Sequence, residues 1–179
     1  LREPKKIYQL SLRLGISYNA TCWALVDNNL LSQDYANQYD SQSGDLKEIK
    51  SSTLPFAIDH NFHSDVWSLS KSDAGTKLET ERDDTYVIRL EENASAGYRW
   101  ELNGNIGDVN IISDNNDLGE KYGSSSSRTM VFNLNSSGDH YLKFKHHRPW
   151  NDTTLEEFEL HIDNRGSEEI GLPRKTKQS

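Results

Sequence analysis

Between residues 76 and 163 the sequence consists of short runs in which apolar and polar residues alternate, separated by residues that favour turns. Alternation with a period of two is the pattern of a β-strand with one buried face. The run 157–162 shows it most clearly, since Phe158, Leu160 and Ile162 point to one side and polar residues to the other. The other runs lie at residues 85–90, 98–102, 109–112, 129–134 and 141–145. Short strands in this number predict an antiparallel β-sandwich over residues 76–163, in a mainly β protein.

The amino-terminal segment, residues 1–35, has the pattern of two short helices. Pro4 favours a helix start, because its missing N–H costs nothing in the first turn. Gly15 suits the left-handed position after a helix, and Ser17 suits the N-cap of the next one. We therefore predict a short helical hairpin that resembles a helix-turn-helix. Two short helices bury too little surface to be stable alone, so we expect a fragment of a larger domain. Its apolar face is expected to include Leu10, Leu14 and Trp23.

Two further segments have few apolar residues. Residues 36–75 begin with a stretch rich in Ser, Gln, Asp, Asn and Gly, followed by scattered apolar residues. We interpret them as a polar linker with short ordered pieces, from which the sandwich borrows no strand. Residues 164–179 have a basic end and little to bury, which predicts a disordered tail.

Composition excludes several classes of partner. The net charge is −8, and residues 76–164 hold nine Lys and Arg against seventeen Asp and Glu. A phosphate backbone requires concentrated positive charge, so we expect no nucleic-acid partner. No apolar run approaches transmembrane length, so no membrane association is expected. The single Cys22 excludes an intrachain disulfide, which fits a reducing compartment and favours a cytoplasmic location.

Arg148, Pro149 and Trp150 directly follow the strand-like run of residues 140–147. An indole on a loop leaves a large apolar area in water, and Trp and Arg are the residues that most often dominate binding energy at protein interfaces. This tripeptide therefore predicts a surface that contacts a protein partner.

Four segments resemble the chagasin family when they are taken in chain order: residues 93–100, 123–132, 137–142 and 148–150. That family comprises immunoglobulin-like inhibitors of papain-type cysteine peptidases. Its pattern is an Asn-Pro-Thr-Thr-Gly-Tyr/Phe loop, then a Gly-x-Gly-Gly loop, then an Arg-Pro-Trp loop. The resemblance covers residues 76–163. It implies an immunoglobulin-like sandwich whose three loops occlude the active-site cleft of a papain-like cysteine peptidase without a cofactor.

The first and middle loops depart from the family pattern. Ala94 stands where the family has proline, which predicts a more flexible first loop, and serines follow Gly123 where glycines are expected. The residues that the resemblance assigns to partner binding are Asn93, Ser95, Ala96, Gly97, Tyr98, Gly123, Ser124, Ser125, Arg148, Pro149 and Trp150.

Pro4 and the segments 10–17, 20–25 and 30–32 carry a second resemblance. Through them, residues 1–32 are similar to the end of the catalytic domain of ImmA/IrrE zinc metallopeptidases. The His-Glu-x-x-His of those enzymes is absent, so this resemblance implies a catalytic helix upstream of Leu1. The sandwich would then be a sensing or docking module of a metallopeptidase. A DNA-binding helix-turn-helix is the weaker interpretation of the same segment, because its second helix has no Lys or Arg to hold phosphate.

Neither catalysis nor metal binding is predicted from the residues present. His60 and His63 lack further ligands nearby, and the adjacent His146 and His147 point to opposite faces of a strand. Cys22 falls in an amphipathic helix with no histidine nearby in sequence and is expected in the core. We therefore expect no catalytic residue, no metal site and no enzymatic activity in this chain.

Overall fold

The computed structural model describes residues 3–40, 43–55, 63–103, 106–117, 126–151 and 153–166. Within these residues four α-helices come first: α1 (Pro4–Leu14), α2 (Tyr18–Asp27), α3 (Gln33–Asp40) and α4 (Ser43–Thr53). The strands follow as β1 (Val66–Leu69), β2 (Lys77–Glu81), β3 (Thr85–Glu92), β4 (Arg99–Asn103), β5 (Val109–Asp117), β6 (Ser126–Leu134), β7 (Gly138–Arg148) and β8 (Thr153–Arg165).

The strands form two four-stranded sheets, in the orders β1-β3-β6-β5 and β2-β8-β7-β4. The predicted mainly β sandwich with helices at the amino terminus is confirmed. The central pairings are antiparallel, as in Ile88 opposite Met130 and Leu142 opposite Leu160. Two edge strands are parallel to their neighbours, β1 to β3 and β2 to β8.

The core between the sheets is built by the inward residues of the alternating runs. Tyr86 stacks on Phe132 with their ring centroids 5.2 Å apart, and Phe144 stacks on Phe158 at 5.0 Å. Leu160 and Ile162 are fully buried. All six predicted strands are present. Five of them have a buried face, which requires the period of two that identified them, whereas β5 buries only Val109 and is held by its pairing with β6.

In place of the expected polar linker, residues 36–75 contain helix α4, the end of α3 and strand β1. Strand β1 joins the sandwich, with Trp67 opposite Tyr86, so the expectation that the sandwich borrows no strand from this segment was wrong. Four residues are too few to establish an alternating pattern, and β1 is specified by its neighbours. The apolar residues of 56–58 and His60, which also belong to this segment, lie outside the described residues.

The helical hairpin forms where it was predicted. Gly15 adopts the left-handed conformation at φ 66°, and the side chain of Ser17 accepts a hydrogen bond from the N–H of Ala20 at 3.1 Å. Cys22 is buried. The buried face of α1 is formed by Ile7, Tyr8, Ser11 and Leu12, whereas Leu14, which was expected in it, is exposed. The difference arises because α1 packs against β1 as well as against α2.

Helix α1 covers the free edge of β1. The side-chain amide of Gln9 donates to the carbonyl of Val66 at 2.7 Å and accepts from the N–H of Ser68 at 2.7 Å. The Tyr8 hydroxyl accepts from the N–H of Val66, and the Arg13 guanidinium donates to the carbonyl of Ser68. Unpaired edge groups are a template for association with other strands, and here side chains pair them. No helix in the described part of the chain is long and apolar enough to cross a membrane.

At the other end of the chain, strand β8 extends to Arg165, and Asn164 and Arg165 are buried. These two residues therefore do not belong to the disordered tail expected from residue 164. Residues 167–179 lie outside the described residues.

Candidate partner-binding loops

Two of the three predicted loops meet at one end of the sandwich. The first loop, residues 93–98, connects β3 to β4, and the third, which includes Pro149 and Trp150, follows β7. Strands β4 and β7 are antiparallel partners, with Arg99 opposite His147. This register places the end of the first loop beside the start of the third, although fifty residues separate them in the sequence.

The first loop is a tight 3₁₀ turn, Ala94–Ala96, that ends at Gly97. Its backbone is closed by hydrogen bonds from the N–H groups of Ala96 and Tyr98 to the carbonyl of Asn93, at 3.1 and 3.2 Å. The N–H of Gly97 donates to the carbonyl of Ala94 at 2.9 Å. The loop is thus closed by its own backbone hydrogen bonds, although Ala94 stands where the family pattern has proline. The side chain of Ser95 lies on the exposed side and donates to Oδ1 of Asn93 at 3.3 Å.

Arg148 joins the two loops. Its Nε donates to the carbonyl of Ala96 at 2.9 Å, and its guanidinium carbon lies 4.4 Å from the centre of the Tyr98 ring. A planar guanidinium can make both contacts at once, which a lysine ammonium cannot. The third loop is therefore fixed to the first by a hydrogen bond and a cation–π contact.

Trp150 lies against Gly97. A Cβ placed on Gly97 would be 2.6 Å from Cζ2 of the indole, so the ring rests where any other residue would carry its side chain. The φ of Gly97 is 77°, a conformation that also favours glycine. Despite this contact 70% of the Trp150 surface is exposed, and Pro149 beside it is exposed too. The six-membered ring of the indole thus lies beside Gly97, while most of the residue is open to solvent.

Beneath the loops lies a buried carboxylate, Glu92, which the sequence analysis did not single out. One oxygen accepts the N–H of Trp100 at 2.8 Å, and the other accepts the side-chain amide of Asn116 at 2.7 Å. Arg128 is 3.6 Å away. Glu92 lies two residues after the inward-facing Leu90 and therefore on the same face of β3. A charged residue on this apolar face is the feature of the sequence that could have identified it. Glu92 fixes the end of β3 to the start of β4.

An aromatic column extends from the loops into the core. Tyr98 meets His146 edge-on at 5.6 Å, His146 stacks on Trp100 at 4.7 Å, and Trp100 meets Phe158 at 5.4 Å. Burial lowers the pKa of His146. The imidazole is packed between the rings of Tyr98 and Trp100. The described residues contain no group of three or more His, Cys, Asp and Glu side chains placed to hold a metal ion.

The histidines on β7 differ in role. A register irregularity separates His146 from His147, and His147 lies within hydrogen-bond distance of a Glu101 carboxylate oxygen, at 2.7 Å. Burial alone would raise the pKa of Glu101, but hydrogen bonds from His147 and Arg99 lower it below its usual value. The contact between His147 and Glu101 connects β7 to β4 at the base of the loops.

For the middle loop, the structure describes the point at which the chain returns to the sheet. Gly123, Ser124 and Ser125 lie outside the described residues. Strand β6 starts at Ser126, which pairs with Glu92 at the root of the first loop. The carboxyl end of the middle loop therefore enters the sandwich beside residue 93.

Comparison with known proteins agrees with this fold. The model of the chagasin family peptidase inhibitors, I42, matches residues 79–162. The cysteine protease inhibitor EhICP2 from Entamoeba histolytica aligns over 56% of this chain and 96% of its own, with 20% identity and a TM-score of 0.52. At that identity the likeness supports the sandwich fold.

Two further solved structures align at 0.38 in TM-score: PbICP-C in its complex with falcipain-2, at 13% identity, and Leishmania mexicana ICP, at 16%. Each alignment covers 63% of this chain, and 96% and 97% of the other protein respectively. No curated protein matches the sequence.

Proposed function

We propose that this chain inhibits papain-like cysteine peptidases by inserting the loop end of its sandwich into the active-site cleft. The match of residues 79–162 to a family of peptidase inhibitors supports the class of activity. The observation that carries the proposal is the contact of Trp150 with Gly97, which holds a largely exposed indole at the loop end of the sandwich.

The geometry suits inhibition by occlusion. Binding costs free energy when loops must be ordered, and pre-organisation reduces that cost. Here the first loop is closed by its own backbone bonds, and Arg148 fixes the third loop to it. The two loops thus present one edge that includes Asn93, Ser95, Tyr98 and Trp150. The middle loop, with Gly123, Ser124 and Ser125, would flank this edge, since it returns to the sheet at Ser126.

Inhibition of this kind requires neither a nucleophile nor a cofactor. The loop edge excludes substrate and water from the cleft while the side chains make reversible, non-covalent contacts. Trp150 and Arg148 belong to the residue types that dominate such interfaces. The partner is therefore a protein, and the peptidase supplies all of the chemistry.

Titration of papain and several relatives with the protein tests the proposal, with residual peptidase activity as the readout. Trp150→Ala is expected to weaken inhibition by about 2 kcal/mol or more, because a fixed indole buries a large area at little entropic cost. Tyr141→Ala is the matched control. Tyr141 is also an exposed aromatic residue, 56% exposed, but it lies on β7, seven residues before Arg148 at the end of that strand. Peptidase activity that stays unchanged up to micromolar protein would refute inhibition.

The second candidate is a docking module attached to an ImmA/IrrE-like metallopeptidase. It is favoured by the firm attachment of the amino-terminal helices to the sandwich, where the Tyr8 hydroxyl donates to Asp65 at 2.9 Å. A module of this kind would bind a regulator or its own catalytic domain through the same loops. This second candidate would be favoured if the chain inhibited no peptidase but bound another protein, and if that binding required Trp150.

A further inference from the structure

The root of the first loop is connected to the middle loop through one buried serine. Ser126 is the first residue of β6 and only 5% exposed. Its hydroxyl donates to the carbonyl of Glu92 at 2.6 Å and accepts the N–H of Ala94 at 3.3 Å. The two backbone groups that it contacts lie on either side of Asn93, where the chain leaves β3.

This arrangement determines how the first loop departs from the sheet. Asn93 has φ −96° and ψ 61°, outside the extended and helical regions, so the chain bends sharply there. A hydroxyl that donates to residue 92 and accepts from residue 94 holds both ends of that bend. Because the donated hydrogen points to Glu92, the oxygen lone pairs remain available to the Ala94 N–H.

The serine itself is held in place. Its strand partner Glu92 is fixed by the N–H of Trp100 and the amide of Asn116, which come from two other strands. Buried hydrogen bonds with satisfied partners rigidify a site. The hydroxyl therefore occupies one position relative to four strands of the sandwich.

We propose that Ser126 is a positioning residue that pre-organises the first loop for the peptidase. The hydrogen bond to the Ala94 N–H holds the 3₁₀ turn at its first residue. The same bond couples the first loop to the middle loop, because Ser126 is where the middle loop returns to the sheet. The residue acts through the loop backbone and does not touch the partner. This inference rests on the proposed function for its effect on inhibition, but not for its effect on the loop.

Ser126→Ala is the test, with two readouts on the full chain. The Ala94 amide is expected to exchange its hydrogen about five-fold faster by NMR, the factor expected from losing one net hydrogen bond. The inhibition constant for papain is expected to rise by about five-fold. The amides of Ile88 and Val131 in the core strands should exchange as in the wild type, which establishes that the sandwich remains folded.

Ser127→Ala is the matched control, since Ser127 is the neighbouring residue of β6 and pairs with Glu91, outside the bend. It should change neither readout. Ser126→Thr, which keeps the hydroxyl, should restore slow exchange at Ala94.

Unchanged exchange at Ala94 in the Ser126→Ala variant would overturn the proposal, whether or not any peptidase is inhibited. Faster exchange with an unchanged inhibition constant would overturn the positioning role. If the wild type inhibits no peptidase, the proposed function fails, and exchange at Ala94 still decides whether Ser126 holds the loop.

Discussion

The indole of Trp150 fills the space that a side chain at position 97, now Gly97, would occupy. This contact joins the two loops that the sequence left fifty residues apart. It gives an exposed tryptophan a defined neighbour: the six-membered ring lies beside the backbone of Gly97, while 70% of the residue surface stays exposed. The contact also makes Gly97 the residue whose replacement is most informative.

Gly97→Ala is expected to displace Trp150 and to weaken inhibition about ten-fold or more, because both the added methyl group and the φ of 77° oppose it. Gly75→Ala provides the control, since Gly75 has a φ of 75° with no atom within 4 Å of an added Cβ. Both variants incur the backbone strain of an alanine at positive φ, about 1–2 kcal/mol, but only Gly97→Ala should shift the indole resonance of Trp150 by NMR. An unmoved Trp150 resonance in Gly97→Ala would show that the indole does not rest there.

Arg148→Lys is expected to weaken inhibition although the charge is retained. The lysine cannot keep both the hydrogen bond to the Ala96 carbonyl and the cation–π contact with Tyr98, whose combined loss is about 1–2 kcal/mol. Arg82→Lys is a suitable control. Arg82 is exposed in the turn before β3, whereas the first loop follows the other end of that strand. Equal inhibition constants for Arg148→Lys and the wild type would mean that charge alone matters.

Gln9→Ala is expected to lower the free energy of unfolding by about 1–2 kcal/mol, since it leaves the Val66 carbonyl and the Ser68 N–H without their side-chain partner. The freed edge of β1 should also increase association at high protein concentration. Urea unfolding and light scattering measure the two effects. Gln33→Ala, at an exposed position in α3, should change neither. Wild-type stability in Gln9→Ala would contradict the role of α1 as the cover of the edge.

Stability should also depend on pH through Asp84. Burial, with a further contribution from the charge of Asp65, raises the pKa of Asp84 from 3.8 to about 7, although three N–H donors oppose the rise. The folded state therefore binds this proton more tightly than the unfolded state. The contribution of Asp84 to the free energy of unfolding is greatest below pH 3.8 and decreases as the pH rises towards about 7.

Asp84→Asn removes this titration, so the variant should gain stability relative to the wild type as the pH rises from 4 to about 7. Urea unfolding at a series of pH values measures the difference. Asp83→Asn is the control, because Asp83 is exposed and its φ of 72° is well tolerated by asparagine. A constant difference between Asp84→Asn and the wild type across this range would show that Asp84 does not titrate there.

The sequence by itself determined the elements whose residues repeat with a regular period or occupy a terminal position. The alternating run 157–162 and four of its five counterparts became strands because one face of each had to be buried. The fifth, β5, buries only Val109 and is held by its pairing with β6. Gly15 and Ser17 marked the turn between α1 and α2, since a left-handed residue and an N-cap are local requirements.

Tertiary structure alone decided the elements and contacts that depend on distant neighbours. Strand β1 has four residues and becomes a strand because β3 pairs with one edge and α1 covers the other. Similarly, nothing in the local sequence around Gly97 indicates that Trp150 lies on it, or that Ser126 holds Ala94. These contacts arise from the pairing of β4 with β7 and of β3 with β6, because strand register brings together loop residues that the chain keeps far apart.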